Sequence, residues 1–244
     1  MRNGQQQTER GNLKHLIISG ASQGIGKATA QLFSDGGYTV INLSRRKCDV
    51  EGVQNIGCDF SSDSSVESGL QELFELIGPE KTNATLIHNA ARLVNDTVES
   101  TTSDQLREII EINLVAANTL NHHLISKLNP GSSILYVGST LGEKAVPNSF
   151  SYSISKHALI GMMRATCQDL AGTGIHTACI NPGFTNTEML REHIPQEIMP
   201  EIAKMSSFER LIEPQEIAEV LLFAAKNSVI NGAVLDSNLG QIER

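Results

Sequence analysis

The apolar and polar positions of this chain follow two periods that alternate along its length. Short apolar runs rich in β-branched residues, each closed by turn residues, predict strands at 13–19, 38–43, 53–58, 84–88, 133–138, 174–180 and 232–235. Between them, apolar residues recur every three or four positions, which predicts amphipathic helices. These run from 25 to the glycines at 36–37, and over 63–77, 102–128, 151–171 and 214–226. Thr101 or Thr102 is the predicted N-cap of the longest helix.

Strands that alternate with helices at this spacing pair in parallel through right-handed crossovers. The predicted fold class is therefore α/β, a doubly wound parallel sheet of about seven strands with helices on both faces. Residues 13–244 contain no internal repeat and no linker and are expected to form one domain, after a polar leader at 1–12 that is expected to be disordered. Residues 184–210 are longer than a plain crossover needs, and both a substrate lid and an ordinary extra helix pair remain open.

Composition narrows the class of protein. The net charge of -8 argues against binding to nucleic acid or to an anionic membrane through a basic surface. The 4 cysteines lack C-x-x-C spacing, which favours reduced thiols in the cytoplasm over disulfides or zinc. Residues 1–12 lack the apolar core of a secretory signal, and no apolar run approaches the ~20 residues of a membrane span. Because His122 and His123 point about 100° apart on a helix, we name no metal ligand.

A glycine-rich loop follows the first predicted strand. Gly20, Gly24 and Gly26 stand in G-x-x-x-G-x-G spacing, which differs from the commoner G-x-G-x-x-G. Such a loop lets the backbone approach a pyrophosphate, while the next helix presents free N–H groups and its positive dipole end to the anion. A plain strand-to-helix turn is the alternative for the glycines alone.

Tyr152 and Lys156 are four residues apart in a predicted helix, so they lie on one face. A nearby ammonium favours the phenolate and is expected to lower the tyrosine pKa, which would give a usable acid and base. Taken alone, such a pair occurs often by chance on a solvated helix face.

Together these segments resemble the short-chain dehydrogenase/reductase family of the classical type. The resemblance rests on order and spacing, covers 13–240, and is carried by the following residues: 19–26, Asn89-Ala90-Ala91, Asn113, Ser139, Tyr152, Lys156 and Asn181-Pro182-Gly183. It implies a Rossmann-like NAD(P)-binding catalytic domain. Ala91 replaces the family's usual glycine, and 236–240 departs from its usual Asp-Gly-Gly, which leaves the C-terminal contact open.

The resemblance implies a catalytic tetrad and a set of cofactor-binding residues. In reduction of a ketone, Tyr152 would donate the proton and Ser139 a hydrogen bond to the same oxygen. Lys156 would lower the tyrosine pKa and hold the nicotinamide ribose, and Asn113 would hold a water that resupplies the proton. The residues implied for the cofactor are Gly20, Ser22, Gln23, Gly24, Ile25, Gly26, Ser44, Arg45, Arg46, Asp59, Phe60, Asn89, Ala90, Tyr152, Lys156, Pro182, Gly183, Thr185 and Thr187.

Cofactor choice is predicted from the end of the second strand. An acid there accepts both ribose hydroxyls of NAD, whereas Ser44 is followed by two arginines that can bind a 2′-phosphate. NADP(H) is therefore favoured, although Arg45 and Arg46 could form only a solvated turn. Gln23 lacks the extra cation of some NADP-binding relatives, so NAD(H) remains possible.

The leading hypothesis is an NADP(H)-dependent oxidoreductase, a carbonyl reductase or alcohol dehydrogenase acting on a carbonyl or secondary alcohol of a small molecule. The rival is a catalytically idle NADP-binding regulatory module, and an epimerase or dehydratase of the extended relatives fits less well. Residues 143–147 and 184–210 are expected to form the substrate pocket, and a homodimer or homotetramer is expected to assemble through helices 102–128 and 151–171.

Overall fold

The computed structural model describes residues 14–241. The predicted leader at 1–12 lies outside the described residues. The strands are β1 Lys14–Ser19, β2 Thr39–Ser44, β3 Gln54–Gly57, β4 Asn83–His88, β5 Ser133–Val137, β6 His176–Pro182 and β7 Ala233–Ser237. The α-helices are α1 Gly24–Asp35, α2 Asp63–Ile77, α3 Ser103–Ile110, α4 Ala116–Leu124, α5 Phe150–Asp169, α6 Glu188–His193, α7 Met199–Ala203 and α8 Pro214–Lys226.

Across the described residues the strands form one parallel sheet in the order β3-β2-β1-β4-β5-β6-β7. Strand β1 pairs with β2 on one side and with β4 on the other, with Ile18 beside both Asn42 and Ile87. The chain therefore winds outward from β1 in one direction and then returns to wind in the other. This confirms the predicted doubly wound fold and places a crevice at the carboxyl ends of β1 and β4, where such sheets bind ligands.

Helices cover both faces of the sheet because strand residues alternate in direction. On one face, residues such as Ile17 and Leu86 pack with α2, α4 and α5. On the other face, Ile18 and Ile87 pack with α1 and α8. Both faces are buried, which explains why the strands appear in the sequence as continuous apolar runs.

The predicted helix 102–128 is present but is not uniform. Thr102 caps it as predicted, in a capping box with Gln105. A π-helical turn at Glu111–Val115 then interrupts the α-helix, and a 3-10 turn at Ile125–Lys127 ends it. π turns are rare and occur mostly at functional sites, so this one places Asn113 in a distorted part of the helix.

The segment 184–210 contains α6, a 3-10 turn at Gln196–Ile198 and α7, so the extra helix pair that the sequence allowed is present. Whether the pair moves as a lid stays a prediction. None of the helices within 14–241 is long and apolar enough to cross a membrane. All four cysteines are free thiols.

Candidate active site

A cleft of about 550 Å³ opens at the carboxyl ends of the strands. Each residue that the sequence predicted for the cofactor lines this cleft, from the glycine loop to Thr187, and so does Ser139. Asn113 is the member of the predicted tetrad that does not line it. The fold thus brings the predicted cofactor residues and three of the four predicted catalytic residues to one surface.

The glycine loop is shaped by contacts that exclude larger residues. Gly20 has φ +76°, and a Cβ there would lie 2.9 Å from the Ala90 Cα. A Cβ on Gly26 would lie 2.2 Å from the Gly20 carbonyl oxygen. These glycines let β1, β4 and the start of α1 approach closely. Within the described residues Gln23, the N-cap of α1, makes no side-chain cap bond, so the first N–H groups of the helix are available to an anion.

Asn89 joins the glycine loop to the end of β4. Its Nδ2 donates to the carbonyl oxygens of Ser19 at 3.1 Å and Gly20 at 2.8 Å. The Ser19 hydroxyl oxygen in turn accepts hydrogen bonds from the backbone N–H groups of Asn89 and Ala90, both at 3.0 Å. Asn89 therefore fixes the backbone of the glycine loop relative to the end of β4. The loop is thus preorganised for an anionic ligand.

At the end of β2, the Arg46 guanidinium donates to the side-chain oxygen of Gln23 at 2.5 Å. The Ser44 hydroxyl donates to the Arg46 carbonyl, also at 2.5 Å. Arg46 is therefore held against the glycine loop. From the sequence, Gln23 was noted only because it lacks the positive charge that some NADP-binding relatives carry there. Its bond with Arg46 could not be predicted, because Gln23 follows β1 and Arg46 follows β2, 23 residues further along the chain.

Asp59, which follows β3, also lines the cleft. It accepts hydrogen bonds from the Ser61 backbone at 3.0 Å and from the Ser61 hydroxyl at 2.7 Å. These bonds favour the carboxylate and hold the pKa of Asp59 below its ordinary value. An anionic acceptor is therefore maintained beside Phe60, at a residue that the resemblance implied for cofactor binding.

Tyr152 and Ser139 are hydrogen-bonded to each other within the cleft. Burial raises the pKa of the Tyr152 phenol to about 12, although its bond with Ser139 acts in the opposite direction. The expectation of a lowered tyrosine pKa is therefore wrong for this structure, because desolvation of the phenolate by burial outweighs the interaction with Ser139. Tyr152 is thus protonated at neutral pH.

Lys156 lies below Tyr152, with Nζ 5.5 Å from the centre of the phenol ring. The ammonium donates to the Val137 carbonyl at 2.7 Å. Burial lowers the pKa of Lys156 to about 8, while the neighbouring Cys179 acts weakly to raise it. Burial of the charged ammonium therefore destabilises the folded state, and Lys156 loses its proton near pH 8.

Ser139 is positioned by the strand that ends next to it. Its backbone N–H donates to the Asn181 Oδ1 at 3.2 Å, and its hydroxyl accepts from the Leu141 N–H at 3.1 Å. Gly138 allows this approach, since a Cβ there would lie 2.1 Å from the same Asn181 oxygen. The serine is thus fixed by a crowded junction of β5 and β6.

The Asn113 side chain is already engaged. Its Oδ1 accepts from the Arg92 backbone N–H at 2.7 Å. Its Nδ2 donates to the Arg92 carbonyl at 2.9 Å and to the Ser155 hydroxyl at 3.0 Å. Both amide hydrogens are used, so the side chain links the loop that follows β4 to α5. The residue does line a second, very small cavity next to Lys156.

The outer part of the cleft includes residues that the sequence predicted only as ranges. Lys144, Ala145 and Val146 line it from 143–147, whereas Glu143 and Pro147 do not. The segment 184–210 contributes Phe184, Met189, Leu190 and Met205 among others. Leu93 and Gln241 also line the cleft and were not predicted. Gln241 reaches it because its segment forms a bridge with Ser206, a long-range contact without a local sequence signal.

Comparison with known proteins decides the family. A family model described as enoyl-(acyl carrier protein) reductase matches residues 20–241. The chain belongs to the short-chain dehydrogenase/reductase family. This confirms the resemblance drawn from the motifs.

Relatives in this family match nearly the whole chain. A 3-oxoacyl-[acyl-carrier-protein] reductase of Mus musculus is 29% identical over 233 residues, which cover 91% of this chain and 95% of the relative. Protein FixR of Bradyrhizobium diazoefficiens is 30% identical over 250 residues, with 96% and 88% coverage. The ligand-free aldohexose dehydrogenase of Thermoplasma acidophilum superposes with a TM-score of 0.85 at 27% identity, covering 93% of both chains.

Membership of the short-chain dehydrogenase/reductase family makes this protein an oxidoreductase that uses a nicotinamide cofactor and acts on small molecules. The residues of the cleft fit such a cofactor, because a glycine loop with free helix N–H groups and the hydroxyls of Ser139 and Tyr152 line the same cleft. The dinucleotide would lie along the glycine loop and the ends of β2 and β4, and its reactive end would lie near Tyr152.

Proposed function

We propose that this protein transfers hydride between NADP(H) and a carbonyl or secondary alcohol of a small molecule. The observation that carries the proposal is that the half-buried Ser139 interacts with the buried Tyr152, next to Lys156, in the same cleft as the glycine loop. A module that only sensed the cofactor would require the loop but not this pair. The proposed roles of the individual side chains follow from their chemistry.

When bound, the nicotinamide supplies or accepts the hydride. Negative charge then develops on the carbonyl oxygen of a ketone substrate, and Ser139 donates a hydrogen bond to that oxygen. Tyr152 donates its proton to the same oxygen, which gives an alcohol. The Lys156 ammonium stabilises the phenolate that remains. Tyr152, whose pKa is raised to about 12, carries its proton at neutral pH, as a general acid must.

The preference for NADP(H) is supported by the arginines at the end of β2. Arg45 and Arg46 both line the cleft, and the side chain of Arg46 is already positioned by Gln23. A guanidinium held in place can bind a phosphate with less loss of conformational freedom than a free one. NADPH is expected to bind more tightly than NADH, and Arg45→Ala is expected to narrow the gap.

The substrate we propose is a ketone with an apolar substituent. The outer cleft is lined by apolar side chains, which include Leu93, Val146, Met189, Leu190 and Met205. Such a lining favours an alkyl or acyl chain over a sugar with many hydroxyls. The murine relative is a 3-oxoacyl-[acyl-carrier-protein] reductase, so 3-oxoacyl thioesters are the first compounds to test.

Activity with a panel of 3-oxoacyl thioesters, alkyl ketones and aldoses tests the proposal, followed as NADPH oxidation. Tyr152→Phe is expected to abolish turnover and to leave the Kd for NADPH nearly unchanged. Tyr38→Phe makes the same chemical change at a residue that packs on Phe33 away from the cleft, and it is expected to retain activity. A wild-type protein that binds NADPH and oxidises it with none of the panel would favour the regulatory module instead.

We further propose that the protein acts in the cytoplasm as a homodimer or homotetramer. The free thiols suit a reducing compartment. Val98, Val115 and Ile154, which lie in or next to the two long helices, expose 71%, 37% and 37% of their surface, and a second copy would cover them. Light scattering after size-exclusion chromatography measures the mass, and a monomer would refute the assembly.

A further inference from the structure

Gln241 reaches the main cleft from a short C-terminal turn, and its side-chain oxygen is unused there. The residue lines the cleft, yet its Oε1 is buried and has no hydrogen-bond partner among residues 14–241. Most buried polar atoms in folded proteins are hydrogen-bonded, so an unpaired acceptor at the wall of a binding cleft indicates a missing partner. A ligand that brings an N–H or O–H group would supply that partner.

Gln241 lies between the turn at the end of β6 and the apolar outer part of the cleft. A Cβ on Gly183 would lie 3.3 Å from the Gln241 Oε1. Gly183 follows Pro182, the last residue of β6, and the resemblance implied both residues for the cofactor. Gln241 also forms a bridge with Ser206, which follows Met205 of the apolar lining. A group bound to Gln241 would therefore lie between the predicted cofactor turn and the apolar lining.

The backbone around Gln241 is held in a strained turn. Leu239 has φ +52°, a left-handed conformation that residues other than glycine rarely adopt. The Asn238 Oδ1 accepts from the backbone N–H groups of Gly240 at 3.0 Å and Gln241 at 3.3 Å. The Ser207 backbone N–H donates to the Leu239 carbonyl at 3.1 Å. Because such strained conformations persist only where the surroundings fix them, the position of Gln241 is set by the fold.

The chemistry of the amide limits what it can recognise. Its oxygen is a neutral acceptor, and its terminal torsion is broad and roughly two-fold, so the oxygen can turn towards the cleft without movement of the backbone. A site with such an acceptor discriminates against a substrate analogue that lacks the matching donor, because the acceptor then stays unpaired.

We propose that Gln241 is a specificity-determining residue whose side-chain oxygen accepts a hydrogen bond from an N–H or O–H group of the substrate. The favoured substrate is then a ketone that carries such a donor in addition to its apolar substituent, such as a 3-oxoacyl thioester of an amide-containing thiol or a hydroxy ketone. This inference rests on the proposed function, because it names a feature of the substrate that is reduced at the same site.

Pairs of ketones that differ only in the donor test this with the full chain. One pair is a 3-oxoacyl thioester of N-acetylcysteamine and the thioester of the same acyl chain with mercaptoethyl acetate, in which an ester oxygen replaces the amide N–H. The other pair is an alkyl hydroxymethyl ketone and its methyl ether. In assays of NADPH oxidation, the wild-type kcat/KM is expected to be about tenfold higher for the donor-bearing member of at least one pair, as one hydrogen bond predicts.

Three variants connect this preference to Gln241. Gln241→Met keeps an unbranched side chain without the acceptor, and it is expected to lower kcat/KM for the donor-bearing ketone about tenfold, mainly through KM, and to change the donor-free ketone less than about twofold. Gln241→Glu keeps an acceptor and is expected to retain the preference. Gln196→Met is the matched control, since Gln196 is exposed in the 3-10 turn at Gln196–Ile198 and does not line the cleft, and it is expected to leave all rates unchanged.

Equal wild-type kcat/KM values within both pairs would overturn this role of Gln241 and leave the proposed function standing. A loss in Gln241→Met that both members of a pair share, or a rise in the Kd for NADPH with the preference intact, would also overturn it, because Gln241 would then pack in the site or bind the nicotinamide carboxamide. If Gln241→Met does not fold, the wild-type comparison within the pairs decides. A wild type that reduces none of the four ketones would refute both the inference and the proposed function.

Discussion

Replacing the buried lysine of the site by methionine should make this protein more stable at neutral pH. Lys156 is 3% exposed, and burial lowers its pKa from 10.5 to about 8. The unfolded chain therefore binds this proton more tightly than the folded chain does. At about 1.36 kcal/mol for each pKa unit, the protonated lysine destabilises the fold by roughly 3 kcal/mol at pH 7.

Lys156→Met removes that charge and keeps a long unbranched side chain. The variant also leaves the Val137 carbonyl without its 2.7 Å donor, which offsets about 1 kcal/mol of the gain. The net expectation is a stabilisation of about 2 kcal/mol at pH 7, together with loss of turnover. Urea unfolding followed by circular dichroism measures the free energy of unfolding of both proteins.

The pH dependence separates this cause from simple repacking. The folded pKa lies below the unfolded one, so the wild type gains stability as the pH rises from about 8 to about 10.5, and the methionine variant does not. The gap between them should therefore shrink over this window. Lys127 also donates to a carbonyl, that of Pro79 at 2.9 Å, but at the surface, and Lys127→Met is expected to change stability by less than about 0.5 kcal/mol. A wild type at least as stable as Lys156→Met at pH 7, or a gap that is constant up to pH 10, would refute the reasoning.

Other predictions concern the cofactor, the strand junction and catalysis. Arg46→Ala is expected to weaken NADPH binding by about tenfold in fluorescence titrations and to weaken NADH binding by a smaller factor, because Gln23 of the glycine loop also loses its partner; equal affinities of the wild type for the two cofactors would contradict this. Gly138→Ala forces a Cβ to within 2.1 Å of the Asn181 oxygen and should lower stability by about 1–3 kcal/mol in thermal unfolding. Gly161→Ala, where the added Cβ meets nothing within 4 Å, is the control and should not lower it. The kcat/KM for ketone reduction should fall as the pH rises through about 8, because Lys156 of the free enzyme loses its proton; a flat kcat/KM profile to pH 9.5 would contradict this role.

The sheet could be predicted from the sequence because its signal is local. Each strand is an apolar run closed by turn residues, and the predicted ends differ from the observed ones by two residues or fewer where they are described. The helix 63–77 matches Asp63–Ile77, and 214–226 matches Pro214–Lys226. Periodicity and capping were sufficient there.

Properties that depend on neighbours distant in the chain could not be predicted. The pKa of Tyr152 was expected to fall because of Lys156, but the burial that raises it comes from the whole site. Asn113 donates side-chain hydrogen bonds to the Arg92 carbonyl and to the Ser155 hydroxyl, and no local pattern in the sequence places these residues beside it. Gln241 enters the cleft through a bridge between two segments that are remote in the sequence.

The bond between Arg46 and Gln23 has a consequence for any attempt to change the cofactor of this enzyme by design. Arg46, which is proposed to bind the adenosine 2′-phosphate, is hydrogen-bonded to Gln23 of the loop that is proposed to bind the pyrophosphate. Cofactor selectivity and overall cofactor affinity therefore depend on the same contact. A redesign for NADH that replaced the arginine alone would also release a side chain of the loop, and all dinucleotides would bind more weakly. Positions 23 and 46 should therefore be varied together in any library that aims to change the cofactor.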